Sequence, residues 1–233
     1  MDIGQAFLQA GRLIGSADAE LTGIATLSLL VSLAAVTIAT ALGVPVGAAL
    51  AVGRFPGRRV IVVVLNALMG LPPVVVGLVV YLLLSRAGPL GNSGLLFTPS
   101  AMVIAQTVLI LPIIAALCRQ SMEDAWREYE EQLRSLGAHP IRAAITLMWD
   151  TRFSLVTAVL AGFGRAAAEV GAVMIVGGNI DGVTRVMTTA IALETSRGDL
   201  PLALALGIIL VGLVIAVNAA AYLVKIAAER RYG

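Results

Sequence analysis

Arg165 and Glu169 stand four residues apart inside an otherwise apolar run. On one helix that spacing places both side chains on the same face, and each costs about 2.5–3.5 kcal/mol facing lipid on insertion scales. They must therefore face protein or water. Two chemistries suit them: an ion pair that fixes helix packing, or a pathway lining in which a partly neutralised guanidinium attracts an anion without holding it. Downstream, Gly177, Gly178 and Asn179 can form a tight turn whose backbone donors serve either chain reversal or an anion-binding nest. The apolar residues Val183, Val186, Met187, Ala190 and Ile191 predict a short amphipathic helix with Thr184, Arg185, Thr188 and Thr189 at its start. Hydroxyls at a helix N-terminus suit an oxyanion or a surface brace equally.

Other chemistries lack their residues. A phosphate-binding loop of the form G-x-x-x-x-G-K-[ST] needs a Gly-Lys pair, and the only lysine, Lys225, follows Val224. The run Gly162 to Ala167 has the letters of a dinucleotide loop but lies in an apolar span rather than after a strand. His139 is the only histidine and Cys118 the only cysteine, so a metal cage is not expected; they read as a solvated turn residue and a packing residue. No triad or carboxylate pair points to a hydrolase.

The elements that must position these groups follow from composition. With 233 residues, 59% hydrophobic and 13% charged, and a mean hydropathy of +0.95, the chain carries about half the charge of a soluble domain. It reads as an all-α integral membrane protein, a single domain over 1–233. Five spans are expected, at 22–52, 60–84, 100–117, 153–176 and 201–224, with a break near Pro72 and Pro73 in the second. Residues 1–20 lack the basic start of a signal peptide; Ile3, Phe7, Leu8 and Ile14 predict a helix lying in the membrane interface. The segment 177–200 is too polar to span. Lysine and arginine are concentrated in 54–59, 119–152 and 225–231, with only Arg12, Arg86, Arg185 and Arg197 in the opposite set of loops. The positive-inside rule then puts the N-terminus out, the C-terminus in and 177–200 on the extracytoplasmic side. Arginines dispersed in this way argue against nucleic acid as a partner.

Residues 119–152 form the one long polar island. Trp126, Tyr129, Leu133 and Leu136 recur at helical spacing, and Ser121 with Asp124 approximates a capping box. Gly137 can end that helix in the left-handed conformation, and Pro140 opens another in which Ile141, Ile145, Met148 and Trp149 share one face. The prediction is an amphipathic helix-turn-helix that packs on the membrane domain and offers a short knuckle to the cytoplasm.

That knuckle resembles the cytoplasmic loop of ABC-importer permeases, whose pattern is Glu-Ala-Ala, a Gly beyond it, then an aliphatic residue and Leu-Pro. Glu131, Gln132 and Leu133 take the first three positions, Gly137 the Gly and Leu147 the aliphatic one, while Trp149 and Asp150 replace Leu-Pro. The stretch from Gly162, with Gly-Arg-x-x-x-Glu-x-Gly leading into Gly-Gly-Asn, is similar to the tungstate-type branch of the oxyanion permeases, near the molybdate and sulfate branch. The resemblance implies a type I importer fold and a homodimeric pathway. It also implies two ATP-binding cassette subunits that hold ATP and Mg, and an extracytoplasmic oxyanion-binding protein. It assigns ATPase coupling to Glu131, Gly137, Ala138, His139 and Pro140, and leaves Arg165, Glu169, Asn179, Thr188 and Thr189 as pathway candidates. No cofactor is expected on this chain, and membrane lipid is its remaining partner. A proton-coupled secondary transporter using Arg165 and Glu169 is the rival reading.

Overall fold

The computed structural model describes residues 3–16 and 19–232. Met1, Asp2, Ala17 and Asp18 of the expected interfacial segment lie outside the described residues. Ten α-helices follow in order: α1 (Ile3–Gly15), α2 (Ala19–Val52), α3 (Arg58–Leu68), α4 (Pro73–Leu84), α5 (Pro99–Ser135), α6 (Pro140–Asp150), α7 (Arg152–Ala167), α8 (Gly171–Gly177), α9 (Met187–Arg197) and α10 (Leu200–Tyr232). Among the described residues one 3-10 turn, Gly91–Ser93, interrupts the loop before α5.

Among the described residues α2, α5 and α10 are long and apolar enough to cross a membrane, and the count rises to five if each of two bent pairs is one span. In the first pair, α3 and α4 meet at 102° across residues 69–72. Pro72 and Pro73 cause that break, since neither can donate to the preceding turn. The second pair is α6 with α7, bent by 76°.

The chain divides into two compact units. The first comprises Met1–Ala34, Pro72–Gln106 and Ala166–Gly233; the second comprises Ala35–Leu71 and Thr107–Arg165. In the second unit α2 and α5 come together through glycine: a Cβ on Gly47 would lie 2.7 Å from the Ala115 carbonyl oxygen and 2.9 Å from Cys118 Cβ. Small residues of this kind let helix backbones approach closely in membranes. Beyond them Ala48, Ala51 and Val52 of α2, Met122 and Ala125 of α5, and Ala143 and Leu147 of α6 form one buried cluster. In the first unit α4 lies on α8, where a Cβ on Gly77 would come within 2.8 Å of Ala172 Cα. Leu21, Ile24, Met187, Ala190 and Leu206 make its second contact region, with Leu13 of α1 packed against them.

Four local expectations change. The apolar third span and the first island helix are one element, α5, so Ser121 lies in mid-helix and caps nothing. No glycine or proline separates Leu117 from Ser135, and nothing stops the helix between them. Pro112 sits inside α5 without ending it. The expected fourth span is broken at residues 168–170, between α7 and α8, so Arg165 and Glu169 do not share a helix. The helix read from Val183 begins at Met187, because Thr184 is taken up by the preceding turn. On α6 the buried residues are Ala143 and Leu147, whereas Ile141, Ile145 and Trp149 face outward. Ala143 and Leu147 are the pair that packs against Ala48, Ala51 and Val52 of α2 and Met122 and Ala125 of α5.

Candidate functional site: the knuckle and the broken helix

The knuckle is built by a helix stop and a helix start. Gly137 adopts φ 67°, the Ala138 N–H donates to the Leu133 carbonyl at 2.9 Å, and the Gly137 N–H to that of Arg134 at 2.9 Å. These bonds satisfy the last carbonyls of α5. Pro140 then opens α6, and His139 is its N-cap, with Nδ1 accepting from the Ile141 N–H at 3.5 Å. The lone histidine is thus a structural cap as well as an exposed turn residue, a use that an isolated His-Pro pair in the sequence could have suggested.

Around that turn lie large exposed apolar side chains: Leu136 is 81% exposed, Ile141 66%, Ile145 57% and Trp149 70%. Residues 141, 145 and 149 repeat every four, so they line one side of α6. Arg152 stacks between Trp149 and Phe153, its guanidinium carbon 5.0 and 4.6 Å from the two ring centroids. Glu131 is exposed on α5. The carboxylates with ionic partners are its neighbours instead: Glu130 meets Arg54 at 2.5 Å and Arg134 at 2.6 Å. Glu123 meets Arg58 and Arg127, each at 3.4 Å, and Arg119 as well. Glu123 and Glu130 lie outside the Glu-Ala-Ala pattern, although their seven-residue spacing on one helix face could have marked them.

The break between α7 and α8 is held by side chain to backbone bonds within the first unit. The Ala166 carbonyl accepts from Gln106 Nε2 and from the Glu169 N–H, both at 3.1 Å. Glu169, only 3% exposed, accepts the Ala172 N–H on Oε1 at 3.0 Å, so its carboxylate caps the first turn of α8. Thr188 Oγ1 donates to the Glu169 carbonyl at 2.7 Å. Thr189 Oγ1 accepts from the Val186 N–H at 3.1 Å, and the Met187 N–H donates to Ser28 Oγ at 2.7 Å. Glu169, Thr188 and Thr189 are therefore gathered in one place, with Gln106 and Ser28 as members that only their isolation in apolar runs could have signalled. Arg165 lies in the last turn of α7.

The Gly-Gly-Asn turn follows α8. Gly178 and Asn179 both have positive φ, 72° and 49°, and Thr184 ties the turn shut: its Oγ1 donates to the Gly177 carbonyl at 2.6 Å and accepts from the Ile180 N–H at 2.9 Å. Chain reversal is thus realised, while Asn179 Oδ1 is buried without a hydrogen-bond partner.

A helical membrane chain with broken spans, an exposed knuckle and no long stretch left for a separate soluble domain has the build of a transport subunit. Residues 43–232 match the family of binding-protein-dependent transport system inner membrane components, and the chain belongs to that family. It is accordingly a multi-pass inner-membrane protein. Over 204 residues, 85% of this chain and 88% of the relative, it is 43% identical to a probable anion ABC transporter permease protein of Haloferax volcanii. It is 42% identical to the tungstate uptake system permease protein TupB of Peptoclostridium acidaminophilum over 220 residues, 94% of this chain and 96% of that one. The tungstate uptake system permease protein TupB of Campylobacter jejuni is 38% identical over 165 residues, 71% of this chain and 69% of that one. Sulfate and molybdenum permeases also match, at 33% and 30% identity.

Proposed function

We propose that this chain is the permease subunit of an ATP-driven importer for a tetrahedral oxyanion, tungstate first and molybdate or sulfate next. Two copies form the pathway, N-terminus out and C-terminus in. Each seats its knuckle on one of two ATP-binding cassette subunits, which hold ATP and Mg and carry out the hydrolysis that this chain does not. An extracytoplasmic binding protein delivers the anion, and closure of the ATPases turns the pathway toward it.

The observation that carries the reading is the exposed apolar stripe Ile141, Ile145 and Trp149 beside the Gly137 turn. A water-facing helix with large apolar residues on one side suits a groove in a partner, in the i, i+4, i+8 manner of helix-in-groove recognition. Glu131, Gly137, Ala138, His139 and Pro140 flank that contact. The 42% identity with a tungstate permease over almost the whole chain supports the anion. For the pathway, Arg165 is the donor of choice to a passing oxyanion. Glu169, Thr188 and Thr189 fix the break, and Asn179 the turn beyond it.

Reconstitution with the ATPase subunits and the binding protein, followed by uptake of radiolabelled tungstate, tests the proposal. Unaltered protein takes up tungstate only with ATP, and Ile145→Asp lowers uptake by at least about tenfold by removing an interface anchor. Uptake driven by a proton gradient with this chain alone would overturn the reading in favour of a secondary transporter.

A further inference from the structure

The turn between α2 and α3, with Arg54, Arg58 and Arg59, has the composition of a topology signal. In the folded chain two of its arginines have specific partners on α5. Arg54 Nη2 lies 2.5 Å from Glu130 Oε1, and Arg58 Nη2 lies 3.4 Å from Glu123 Oε1. Glu123 and Glu130 are two turns apart on one stripe of α5, about 10 Å along its axis. Arg58 also donates from Nε to the Leu50 carbonyl at 2.7 Å. One guanidinium therefore joins the last turn of α2, the first residue of α3 and the polar end of α5.

We infer that this two-point ionic clasp is the transmission element of the permease: it converts displacement of the Gly137–Pro140 knuckle into displacement of the α2–α3 turn. The inference rests on the reading of the chain as a permease driven from that knuckle. A single ion pair acts as a pivot, free to rotate and slide. Two pairs spaced along one stripe also resist rotation and sliding. Because α5 is unbroken from Glu123 to Ser135, a push at its end carries both carboxylates together. The carboxylates are held ready by neighbours one turn away, Glu123 by Arg119 and Arg127, and Glu130 by Arg134. Arg58 and Glu123 are only 24% and 19% exposed, which lessens screening by salt at the inner point. Arg58 and Glu123 act as positioning residues here, since neither needs to touch the transported anion.

The test uses the complete reconstituted complex and reads anion taken up per ATP hydrolysed, a ratio that a merely stabilising clasp would leave unchanged. Arg58→Gln and Glu123→Gln each lower the ratio about tenfold, within the range of ordinary coupling energies, while ATP hydrolysis and complex yield persist. The double variant falls no further than either single one, and Arg58→Lys recovers most of the loss. Arg54→Gln provides a variant that leaves no buried gap, because Arg54 is 67% exposed, and it too lowers the ratio. An unchanged ratio in Arg54→Gln and Arg58→Gln overturns the clasp, as does a double variant whose loss is the product of the single losses. If the unaltered complex shows no ATP-dependent uptake, the permease reading falls and the clasp with it.

Discussion

In the polar island charged side chains answer one another, whereas around residues 166–189 polar side chains answer the backbone. Glu123 and Glu130 together serve five arginines through contacts of up to 3.4 Å, most of them reached by long, partly exposed side chains. Exposed pairs of this kind are individually worth about 0–1 kcal/mol. Thr184, Thr188, Thr189 and Gln106 instead hold single carbonyls or N–H groups that helix breaks have left open. Stranding such a group costs more than losing a surface ion pair. Around Glu123 and Glu130 no single pair is indispensable to stability and their joint placement is what holds, while the broken helix is fixed residue by residue.

The largest effect is expected at Thr184, which is fully buried and makes two bonds. Thr184→Val leaves the Gly177 carbonyl and the Ile180 N–H unpaired and should cost about 2–4 kcal/mol, read by detergent unfolding. A loss no larger than that of a surface variant would erase the contrast. Thr188→Val removes one hydrogen bond to the Glu169 carbonyl, and about 1–3 kcal/mol is expected from the same measurement. Arg134→Gln, which removes one of two partners of Glu130, should cost under about 1 kcal/mol, and raising the salt concentration should shrink even that. The two threonine variants should show no such salt dependence, which sharpens the distinction.

Much of this was legible in the chain itself. Pro72 and Pro73 announce the bend between α3 and α4, and Gly137 with Pro140 announces the knuckle, because these residues act locally on their own backbone. The family the chain resembles is the one that residues 43–232 match. The break at Glu169 was not legible: the run from Phe153 to Val176 is apolar apart from Ser154, Thr157, Arg165 and Glu169, and no proline marks it. What ends α7 is tertiary, a set of donors brought from Gln106 and Thr188. The facing of α6 was missed for a related reason. Periodicity marked Ile141, Ile145, Met148 and Trp149 as the apolar face, and only packing against α2 and α5 puts Ala143 and Leu147 inside. The clasp likewise joins residues 76 positions apart, a distance at which charge patterning alone names no partner.

Gly137 has one consequence of a different kind. A Cβ built on it meets no atom within 4 Å, so space is not what restricts the position. Its φ of 67° is unfavourable only for residues of one handedness. An L-alanine would strain the turn by about 1–2 kcal/mol, while a D-alanine would sit there comfortably and narrow the freedom of the unfolded chain. The knuckle is thus guarded by chirality rather than by crowding, which leaves its outer side clear for whatever it touches.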